Sequence, residues 1–369
     1  MTKKPPQNFP EQPDSRHPID DSHPTPDHTK PTLAQRIFRP IVIILFLGGY
    51  LAIAGTIIGF FGRWWWVLDL FANFRLQYTY PLLAALITAA IRQKWLPATL
   101  FLLALLINTS YIAALYQSQQ PITATNLRPL KILHLNLNRT NNNTDAVVKL
   151  FHASDADLIF LQEATAPWLS ALMDQTGSYQ LELPRPRPDA FGIALFVNTK
   201  PEGNFKLRTT RILDMTPSAI NIPAIEAVVE SDDRVYSVLS LHALPPVSAH
   251  HSKVRNTQLH ESYRWAIAQE HPAIIIGDFN ATPFAYPMRE IIYPSDPDAP
   301  NLNLAQQGQG YRGSWPAPFP APLRIPIDHA LLTPDLAITH YALGNGVGSD
   351  HLPLIVHVRS IANQSRIRP

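Results

Sequence analysis

Apolar residues fall into three runs near the amino terminus and into many shorter runs after them. The first run, Ile41 to Phe61, holds about 21 residues without a charge, enough for a helix to cross a bilayer core of about 30 Å. The third run, Leu96 to Tyr116, is equally long, whereas the second, at about residues 77–92, is shorter. This pattern predicts a transmembrane region over residues 37–118, with spans at about 41–61, 77–92 and 96–116.

A buried helical hairpin in a water-soluble protein is the alternative to membrane spans. Two uncharged runs of this length are rare outside membranes, so we favour the spans. The segment between the first two runs mixes Trp and Tyr with Arg63, Asp69 and Arg75. Aromatic residues beside charges are typical of the headgroup level. We therefore predict a connector there.

Three further segments contain few apolar residues. Residues 1–36 are rich in Pro, Asp, His, Ser and Lys, and such a composition cannot bury enough surface to offset the entropy of ordering. We predict a disordered tail for residues 1–36, a polar linker for residues 119–129 and a flexible carboxyl terminus for residues 361–369.

Basic residues predict the orientation of the spans. The amino-terminal tail and the turn between the second and third spans carry Lys and Arg, which favours the cytoplasmic side for both: Lys3, Lys4, Arg16, Lys30, Arg36, Arg39, Arg92 and Lys94. With three spans, everything after Tyr116 lies outside the cytoplasm. If the short second run does not cross, this orientation is reversed.

From Leu130 onward, short apolar stretches with strand periodicity alternate with amphipathic helices. One helix is expected to be capped by Thr144, and another lies around Arg255 to Gln269. The density of strands predicts an α+β sandwich over residues 130–360, with two packed mixed β-sheets flanked by helices. The predicted strands are Leu130–Asn138, Ala156–Ala164, Phe191–Asn198, Ala224–Val229, Val235–Ala243, Ile274–Gly277, Ile327–Thr333 and Leu352–Ser360.

Cysteine count and charge restrict the chemistry of this domain. The chain contains no cysteine, which excludes disulfides and thiolate metal sites. From Pro121 onward there are about 20 Lys and Arg against about 22 Asp and Glu. Such a balance is not that of a basic nucleic-acid-binding surface.

Polar residues stand at the ends of several predicted strands. In the stretch IIIGDFN, Asp278 and Asn280 follow a buried apolar run and share one face of an extended segment. Alone, such residues would more often be turn formers. Six groups together predict an active site where strand ends converge: Asn136 with Asn138, Glu163, His242, Asp278 with Asn280, Asp328, and Ser349 with Asp350 and His351.

These motifs resemble those of the endonuclease/exonuclease/phosphatase superfamily, which has the deoxyribonuclease I-like fold. The matching pieces are, in the order of the family, LHLNLN, LIFLQE, LSLHALPP, IIIGDFNATP, IPIDHALLT and GSDHLPL. Together they cover the chain from about Leu130 to Ser360. With its helical anchor, the chain is further similar to a bacterial membrane-bound branch that includes proteins linked to glycopeptide resistance.

The resemblance implies a divalent metal ion and its ligands. Glu163 matches the metal-binding glutamate of the family, Asp350 matches a second carboxylate at the same ion, and Asn136 matches the asparagine beside it. Ligation by oxygen alone favours Mg²⁺, or Mn²⁺, over zinc.

The resemblance also implies the catalytic residues of a phosphoester hydrolase. Asp278 matches an aspartate that aligns the attacking water or holds a second metal, and Asn280 matches a donor to a phosphate oxygen. His351 matches a histidine that faces the phosphate and is oriented by Asp328, and His242 matches the other histidine. Which of these two histidines is the acid and which the base stays open.

Three other features are weighed against simpler interpretations. His250, His251 and His260 lie near Lys253 and could form a metal or phosphate cluster, but a solvated helix face is the simpler interpretation. Arg255 is a candidate for contact with the substrate, while Trp315 is expected to pack against the sheet edge rather than to line the pocket.

Taken together, the sequence predicts a metal-dependent phosphodiesterase or phosphatase anchored in the bacterial inner membrane, with its catalytic domain in the periplasm. Because the anchor keeps the site near the bilayer, phospholipid headgroups or lipid-linked phosphates are the expected substrates. An extracytoplasmic nuclease is the first alternative. The second is a binding protein that keeps the fold without turnover.

Overall fold

The computed structural model describes residues 1–3, 33–118, 127–201, 203–216 and 221–361. The predicted tail of residues 1–36 lies largely outside the described residues, as do most of the predicted linker and carboxyl terminus. The chain forms two units, Met1–Ile43 and Ile44–Pro369. The second unit holds the elements discussed below, except the start of the first helix.

The three apolar runs form helices. Helix α1 spans Leu33–Ile58 and is followed by a 3₁₀ turn at Gly59–Phe61, and the predicted connector contains a short helix, α2, at Trp66–Ala72. Helices α3 and α4 span Arg75–Ile91 and Trp95–Ala114. Among the described residues, two helices are long and apolar enough to cross a membrane, Phe38–Phe61 and Trp95–Ala114. The 17 residues of α3 extend about 25 Å at about 1.5 Å per residue, so three spans stay a prediction.

Helix α3 runs antiparallel to its two neighbours. Near its middle, a Cβ atom added to Gly49 of α1 would lie 2.5 Å from the Cβ atom of Ala85, so a small residue is required for this close approach. At its start, Arg75 donates to the carbonyl of Thr56 at 3.2 Å and to Asn108 Oδ1 at 3.4 Å. The carboxyl ends of α1 and α4 therefore lie beside the amino end of α3.

Twelve strands and four further helices follow in the described part of the chain. The helices are α5 (Thr144–Ser154), α6 (Ala166–Met173), α7 (Ala249–Ala268) and α8 (Tyr286–Ile292). The strands are β1 (Leu130–Asn136), β2 (Leu158–Gln162), β3 (Tyr179–Arg185), β4 (Ile193–Asn198), β5 (Phe205–Asp214), β6 (Pro223–Ser231), β7 (Arg234–His242), β8 (Ala273–Asp278), β9 (Asn303–Leu304), β10 (Asp328–Leu332), β11 (Leu336–Leu343) and β12 (Leu354–Ser360).

The strands form two six-stranded mixed sheets packed face to face. The first sheet has the order β11-β12-β1-β2-β4-β3, and the second has the order β5-β6-β7-β8-β10-β9. Between them, Ile132 and Phe160 of the first sheet belong to the same buried cluster as Val238 and Ile274 of the second. Helices α5 and α6 cover the outer face of the first sheet, and α7 and α8 cover that of the second. The predicted α+β sandwich is confirmed.

Sequence periodicity missed mainly the edges of the sheets. Strands β3, β5, β9 and β11 were not predicted, and they are the four edge strands of the two sheets. In β3, β5 and β11 many side chains are exposed, so the apolar signal is weak. The predicted cap of α5 was wrong by one residue. The side chain of Asn143 accepts the proton of the Ala146 amide at 3.2 Å, and Thr144 is the first residue of the helix.

A buried ion pair joins α2 to the sandwich. Arg255 of α7 donates to Asp69 Oδ2 at 2.8 Å, and both side chains are almost fully buried. The other oxygen of Asp69 accepts the backbone proton of Tyr286 at 2.7 Å. Two groups of the sandwich therefore donate to the Asp69 carboxylate. These contacts take the place of the hydrogen bonds to water that the charges lose on burial.

Further contacts join the same helical end to two loops. Asn73 Oδ1 accepts the backbone proton of Thr282 at 3.0 Å. Gln77 donates to the carbonyl of Pro322 at 3.2 Å and to that of Arg324 at 3.1 Å. The loop after β8 and the loop before β10 are both held by the helical region.

The expectation that Arg255 contacts substrate is not supported by its position. Its side chain is 1 % exposed, and its guanidinium group donates to Asp69 and to the backbone carbonyl of Asn280, the latter at 3.2 Å. Burial lowers the pKa of Arg255, while Asp69 opposes this shift. Arg255 therefore links helix α2 to the loop that carries Asn280.

Replacing Asp69 by Ala is expected to lower the free energy of unfolding by about 3–5 kcal/mol, because Arg255 would stay buried without a counter-charge. The measurement is urea-induced unfolding of the full chain in detergent, followed by tryptophan fluorescence. The double variant Asp69→Leu, Arg255→Met removes both charges instead of leaving Arg255 buried without a partner. It should therefore recover part of the lost free energy of unfolding.

The matched control is Glu261→Ala, which removes an acid from the exposed pair with Arg264 on the same helix. Exposed pairs contribute less than about 1 kcal/mol. An effect of Asp69→Ala no larger than that of Glu261→Ala would show that the buried pair does not hold helix α2 to the sandwich.

Candidate active site

Strand register in the second sheet brings three predicted site residues side by side. Asp278 is the last residue of β8, and it stands opposite His242 in the parallel pair with β7. On the other side it stands opposite Asp328 in the antiparallel pair with β10. Neighbouring strands lie about 4.8 Å apart, so the hydrogen-bonding pattern alone places these side chains together.

Asp278 lies between two imidazoles. Its Oδ2 atom is 3.6 Å from His242 Nε2 and 3.7 Å from His351 Nε2. Its Oδ1 atom accepts the backbone proton of Asn280 at 2.9 Å. Burial raises the pKa of the Asp278 carboxyl, although the charge of His351 opposes the shift. The group is therefore far more ready to take up a proton than an exposed aspartate.

The Asp328 carboxylate contacts two histidines. Its Oδ2 atom lies 2.9 Å from His351 Nδ1, and its Oδ1 atom lies 3.1 Å from His134 Nε2. Burial would raise the pKa of Asp328, but His351 and His134 hold it below its usual range. Burial would likewise lower the pKa of His351, but Asp328 and Asp278 raise it well above the ordinary histidine value. The geometry thus favours a charged His351 oriented by a carboxylate.

His242 has the opposite tendency. Burial, with His351 and His134 nearby, lowers its pKa to about 3. A neutral imidazole and a charged one therefore face the same Asp278 oxygen. Two titratable groups whose environments move their pKa values apart are a common arrangement for proton transfer.

The first sheet contributes two carboxylates, which amide groups connect. Asn136 Nδ2 donates to Glu163 Oε1 at 3.3 Å and to Asp278 Oδ2 at 3.4 Å. Asn138 Nδ2 donates to Asp350 Oδ1 at 2.8 Å, and its backbone proton is accepted by Asn136 Oδ1 at 3.0 Å. Glu163 and Asp350 therefore belong to one network that reaches Asp278.

Three residues of this network have left-handed backbone conformations. The φ angles are 55° at Glu163, 56° at Asn138 and 48° at Asn280. Such angles are uncommon outside glycine, and for a glutamate they cost free energy that the surrounding structure must offset. At each of these positions the strand has just ended, and the unusual backbone turns the chain at the rim of the site.

Gln162 connects the two sheets beneath the site. Its amide group donates to the carbonyl of Leu241 at 2.7 Å, and its Oε1 atom accepts the backbone proton of Asp278 at 3.3 Å. In the first sheet, Ser349 Oγ donates to the carbonyl of Asn136 at 2.7 Å. Single side chains thus fix the strand ends relative to one another.

The sequence analysis missed the contributions of His134, Gln162 and Trp315. His134 lies two residues before Asn136 on the same face of β1, so continuing the alternation backwards would have identified it. Trp315 was expected to pack against the sheet edge, but its indole nitrogen donates to Asp350 Oδ2 at 3.0 Å. Gln162 gives no such signal, since its partners lie in the other sheet.

The predicted site residues lie at one rim, linked by the contacts given above: Asn136, Glu163, His242, Asp278, Asn280, Asp328, Asp350 and His351. The side chain of Asn280 does not point freely into this space. It donates to the carbonyl of Ala243 at 2.9 Å and to Asp278 Oδ2 at 3.3 Å. Donation to a phosphate would replace its weaker contact with Asp278.

Two groups of side chains could hold a metal ion. Asp278, Asp328 and His351 offer ligand atoms within 4.8 Å of one another, but both Asp328 oxygens already contact imidazoles. Glu163 and Asp350 are half-buried and, among the described residues, neither forms an ion pair with Lys or Arg. Each carboxylate oxygen has two acceptor positions, so this oxygen-rich pair fits a hard cation better.

Comparisons of this structure with solved ones return the same fold at low sequence identity. The D. rerio TDP2 humanised by 14 mutations is 17 % identical, covers 63 % of this chain and 99 % of its own, and gives a TM-score of 0.52. The D. rerio TDP2 complexed with a single-strand DNA product is 16 % identical with the same coverage and a TM-score of 0.51. An endonuclease/exonuclease/phosphatase from Bacteroides vulgatus is 15 % identical, again with that coverage, at 0.50.

By sequence, none of the curated proteins matches the chain. The model of the "Endonuclease/Exonuclease/phosphatase family" matches residues 133–351, more than half of the chain and the whole of the site. The superfamily predicted from the motifs is confirmed, while the membrane-bound branch within it stays a prediction. The chain therefore belongs to the endonuclease/exonuclease/phosphatase family, whose members hydrolyse phosphoester bonds.

Proposed function

We propose that the protein is a membrane-anchored, metal-dependent hydrolase of phosphoester bonds, with lipid-linked or headgroup phosphates as its substrates. The observation that carries the hydrolase assignment is the convergence of His242, His351 and Asp328 on Asp278. A neutral and a charged imidazole beside a buried carboxyl can move protons while water attacks phosphorus in line.

The proposal includes a divalent cation, Mg²⁺ or Mn²⁺. Glu163 and Asp350 would hold it, with Asn136 beside them, because these oxygens lack a cationic side-chain partner in the described part of the chain. When bound, the ion would neutralise charge on the phosphoryl oxygens. Asp278 and Asn280 would meanwhile orient the attacking water and a phosphate oxygen.

Proximity to the bilayer supports a lipid substrate. The loop before β10 contacts the site at one end, where the Ala317 amide donates to the carbonyl of Asp350 at 2.7 Å. At its other end it contacts helix α3. Between these contacts, Phe319 is 53 % exposed and Leu323 is 49 % exposed. Exposed apolar side chains on the rim of a site beside apolar helices favour acyl-chain or headgroup contacts.

The proposed location is the inner membrane of a bacterium, with several spans and a periplasmic catalytic domain. The antiparallel course of α1, α3 and α4 supports it, since the sandwich contacts the carboxyl end of α4 and the amino end of α3. Three crossings from a cytoplasmic start would leave the sandwich outside.

A nuclease is the second candidate, because a D. rerio protein with the same fold holds a single-strand DNA product. The near balance of acidic and basic residues after Pro121 argues against it. Binding of nucleic acid by charge requires a surplus of Lys and Arg.

Asp278→Asn and His351→Gln are each expected to abolish hydrolysis of a phosphodiester by the full-length chain, as is a metal chelator added to the unchanged protein. The activation free energy should rise by more than about 3 kcal/mol, which lowers the rate by more than about a hundredfold. The assay is release of product in Mg²⁺ or Mn²⁺. Glu163→Gln should in addition weaken binding of Mn²⁺ measured by calorimetry.

The control is Asp174→Asn, which alters an exposed carboxylate at the end of α6, away from the site. Wild-type rates in both Asp278→Asn and His351→Gln would remove the site assignment. Turnover without a metal ion would support the hydrolase but contradict the proposed cation. A wild-type chain without activity would favour a binding protein.

Among candidate substrates, phospholipids and polyprenyl phosphates are expected to be hydrolysed faster than single-stranded DNA. Between about 50 and 200 mM salt, lipid hydrolysis should change little, whereas a nuclease that neutralises several phosphates would lose most of its affinity. DNA hydrolysis that is faster and falls steeply with salt would favour the second candidate. The full chain is used because Asp69 neutralises Arg255.

A periplasm-active reporter fused to the carboxyl terminus is expected to be active, because three spans place the sandwich outside the cytoplasm. The matched fusion after Lys94, in the turn between α3 and α4, should be silent. A silent carboxyl-terminal fusion that is expressed, together with an active fusion after Lys94, would reverse the orientation.

A further inference from the structure

A second concave surface lies outside the active site, between the connector and helix α7. One wall is the segment Gly62–Trp66, which directly follows the first apolar helix, and the other is the amino-terminal half of α7. The cavity has a volume of about 600 Å³. We call it the connector groove. The side chains that matter below are Arg63, Trp64, Trp65, Ser252, Lys253 and His260.

The groove is positively charged. Arg63, Lys253 and His260 line it and are exposed, and among the described residues Arg63 and Lys253 form no ion pair. Asp69 lies in the lining as well, but Arg255 neutralises it and the Tyr286 amide occupies its second oxygen. The surface therefore presents two cationic groups, Arg63 and Lys253, beside the His260 imidazole, which favours an anion.

A buried hydroxyl in the wall points to the same kind of ligand. Ser252 is 2 % exposed, and its Oγ atom has no hydrogen-bond partner. A buried polar group without a partner costs about 1–3 kcal/mol, so such groups in native proteins are rare. Because the oxygen itself is buried, the hydroxyl would have to turn toward the groove to donate to a ligand placed between Lys253 and Arg63.

The position of the groove indicates where the anion comes from. Trp64 and Trp65 are 75 % and 55 % exposed and follow Phe61, the last residue of an apolar helix long enough to span a membrane. Exposed tryptophan at the end of such a helix is typical of the headgroup level. Basic residues at that level attract anionic lipids.

We propose that the connector groove binds the phosphate of an anionic phospholipid headgroup. Arg63 and the tryptophans approach it from the connector, and Ser252, Lys253 and His260 approach it from α7. A phosphate between the two walls ties the anchor to the sandwich, beside the Asp69–Arg255 ion pair. This inference rests on the anchoring part of the proposed function and not on catalysis.

The test is a titration of the full-length chain in zwitterionic detergent with phosphatidylglycerol and with phosphatidylcholine, read by native mass spectrometry. Divalent cations are omitted and Asp278→Asn is the background, so binding is measured without hydrolysis. Phosphatidylglycerol is expected to bind about tenfold more tightly. Arg63→Gln and Lys253→Gln should each weaken it roughly fivefold, and Ser252→Ala should weaken it without reducing stability.

Arg264→Gln is the matched control, since it removes an exposed charge from α7 outside the groove; it should leave binding unchanged. Equal affinity for the two lipids, or variants at Arg63 and Lys253 that bind like the control, would overturn the proposal. Displacement of the lipid by glycerol 3-phosphate at similar concentration would also overturn the proposal, because the groove would then bind a soluble phosphate ester as well as it binds a lipid. If the unchanged protein with Mg²⁺ or Mn²⁺ does not hydrolyse phosphoesters while this background still prefers phosphatidylglycerol, only the proposed enzyme is refuted and the groove stands.

Discussion

The buried pair between Asp69 and Arg255 is the charged contact that joins the helical region to the sandwich. Two charges shielded from water are tolerated only when each has hydrogen-bonding partners. Here Asp69 also accepts the proton of the Tyr286 amide, and Arg255 also donates to the Asn280 carbonyl. These are the ends of the loop that follows Asp278. The helical region is thus attached to the backbone that shapes the candidate active site.

A second constraint, strand register, determines which side chains meet. Pairing of β8 with β7 and with β10 fixes His242, Asp278 and Asp328 in one row, while β1 and the turn before β12 supply His134 and His351 to Asp328. Because the row is buried, burial and the neighbouring charges together decide each protonation state. Asp328 contacts His351 directly and favours its cation, whereas His242 is affected mainly by burial, so the two imidazoles differ although both face Asp278.

The sequence contained enough information for the sandwich and for most of the site, because central strands are continuously apolar and the polar residues at their ends stand out. It was weaker wherever a partner is distant in the chain. Edge strands such as β5 are half-exposed and lack a clear period. Arg255 was a candidate substrate contact because no residue near it in the sequence indicates that its partner is Asp69. The role of Gln162 likewise depends on a contact with a strand of the other sheet. Long-range pairing of polar groups leaves no local pattern, so only the structure reveals it.

The same contacts bear on how a substrate would reach the site. The loop after β8 is held by α2, and the loop before β10 is held by α3, so both flanks of the rim are tied to the end of the helical region from which the sandwich emerges. If those helices lie in a bilayer, the rim stands near the headgroups, and a phosphate carried by a lipid needs little displacement to meet Asp278. A long duplex would have to pass between the sandwich and the membrane surface. In a bilayer, it is therefore the geometry of attachment, more than any single residue of the site, that would support the proposed lipid-linked phosphate over nucleic acid.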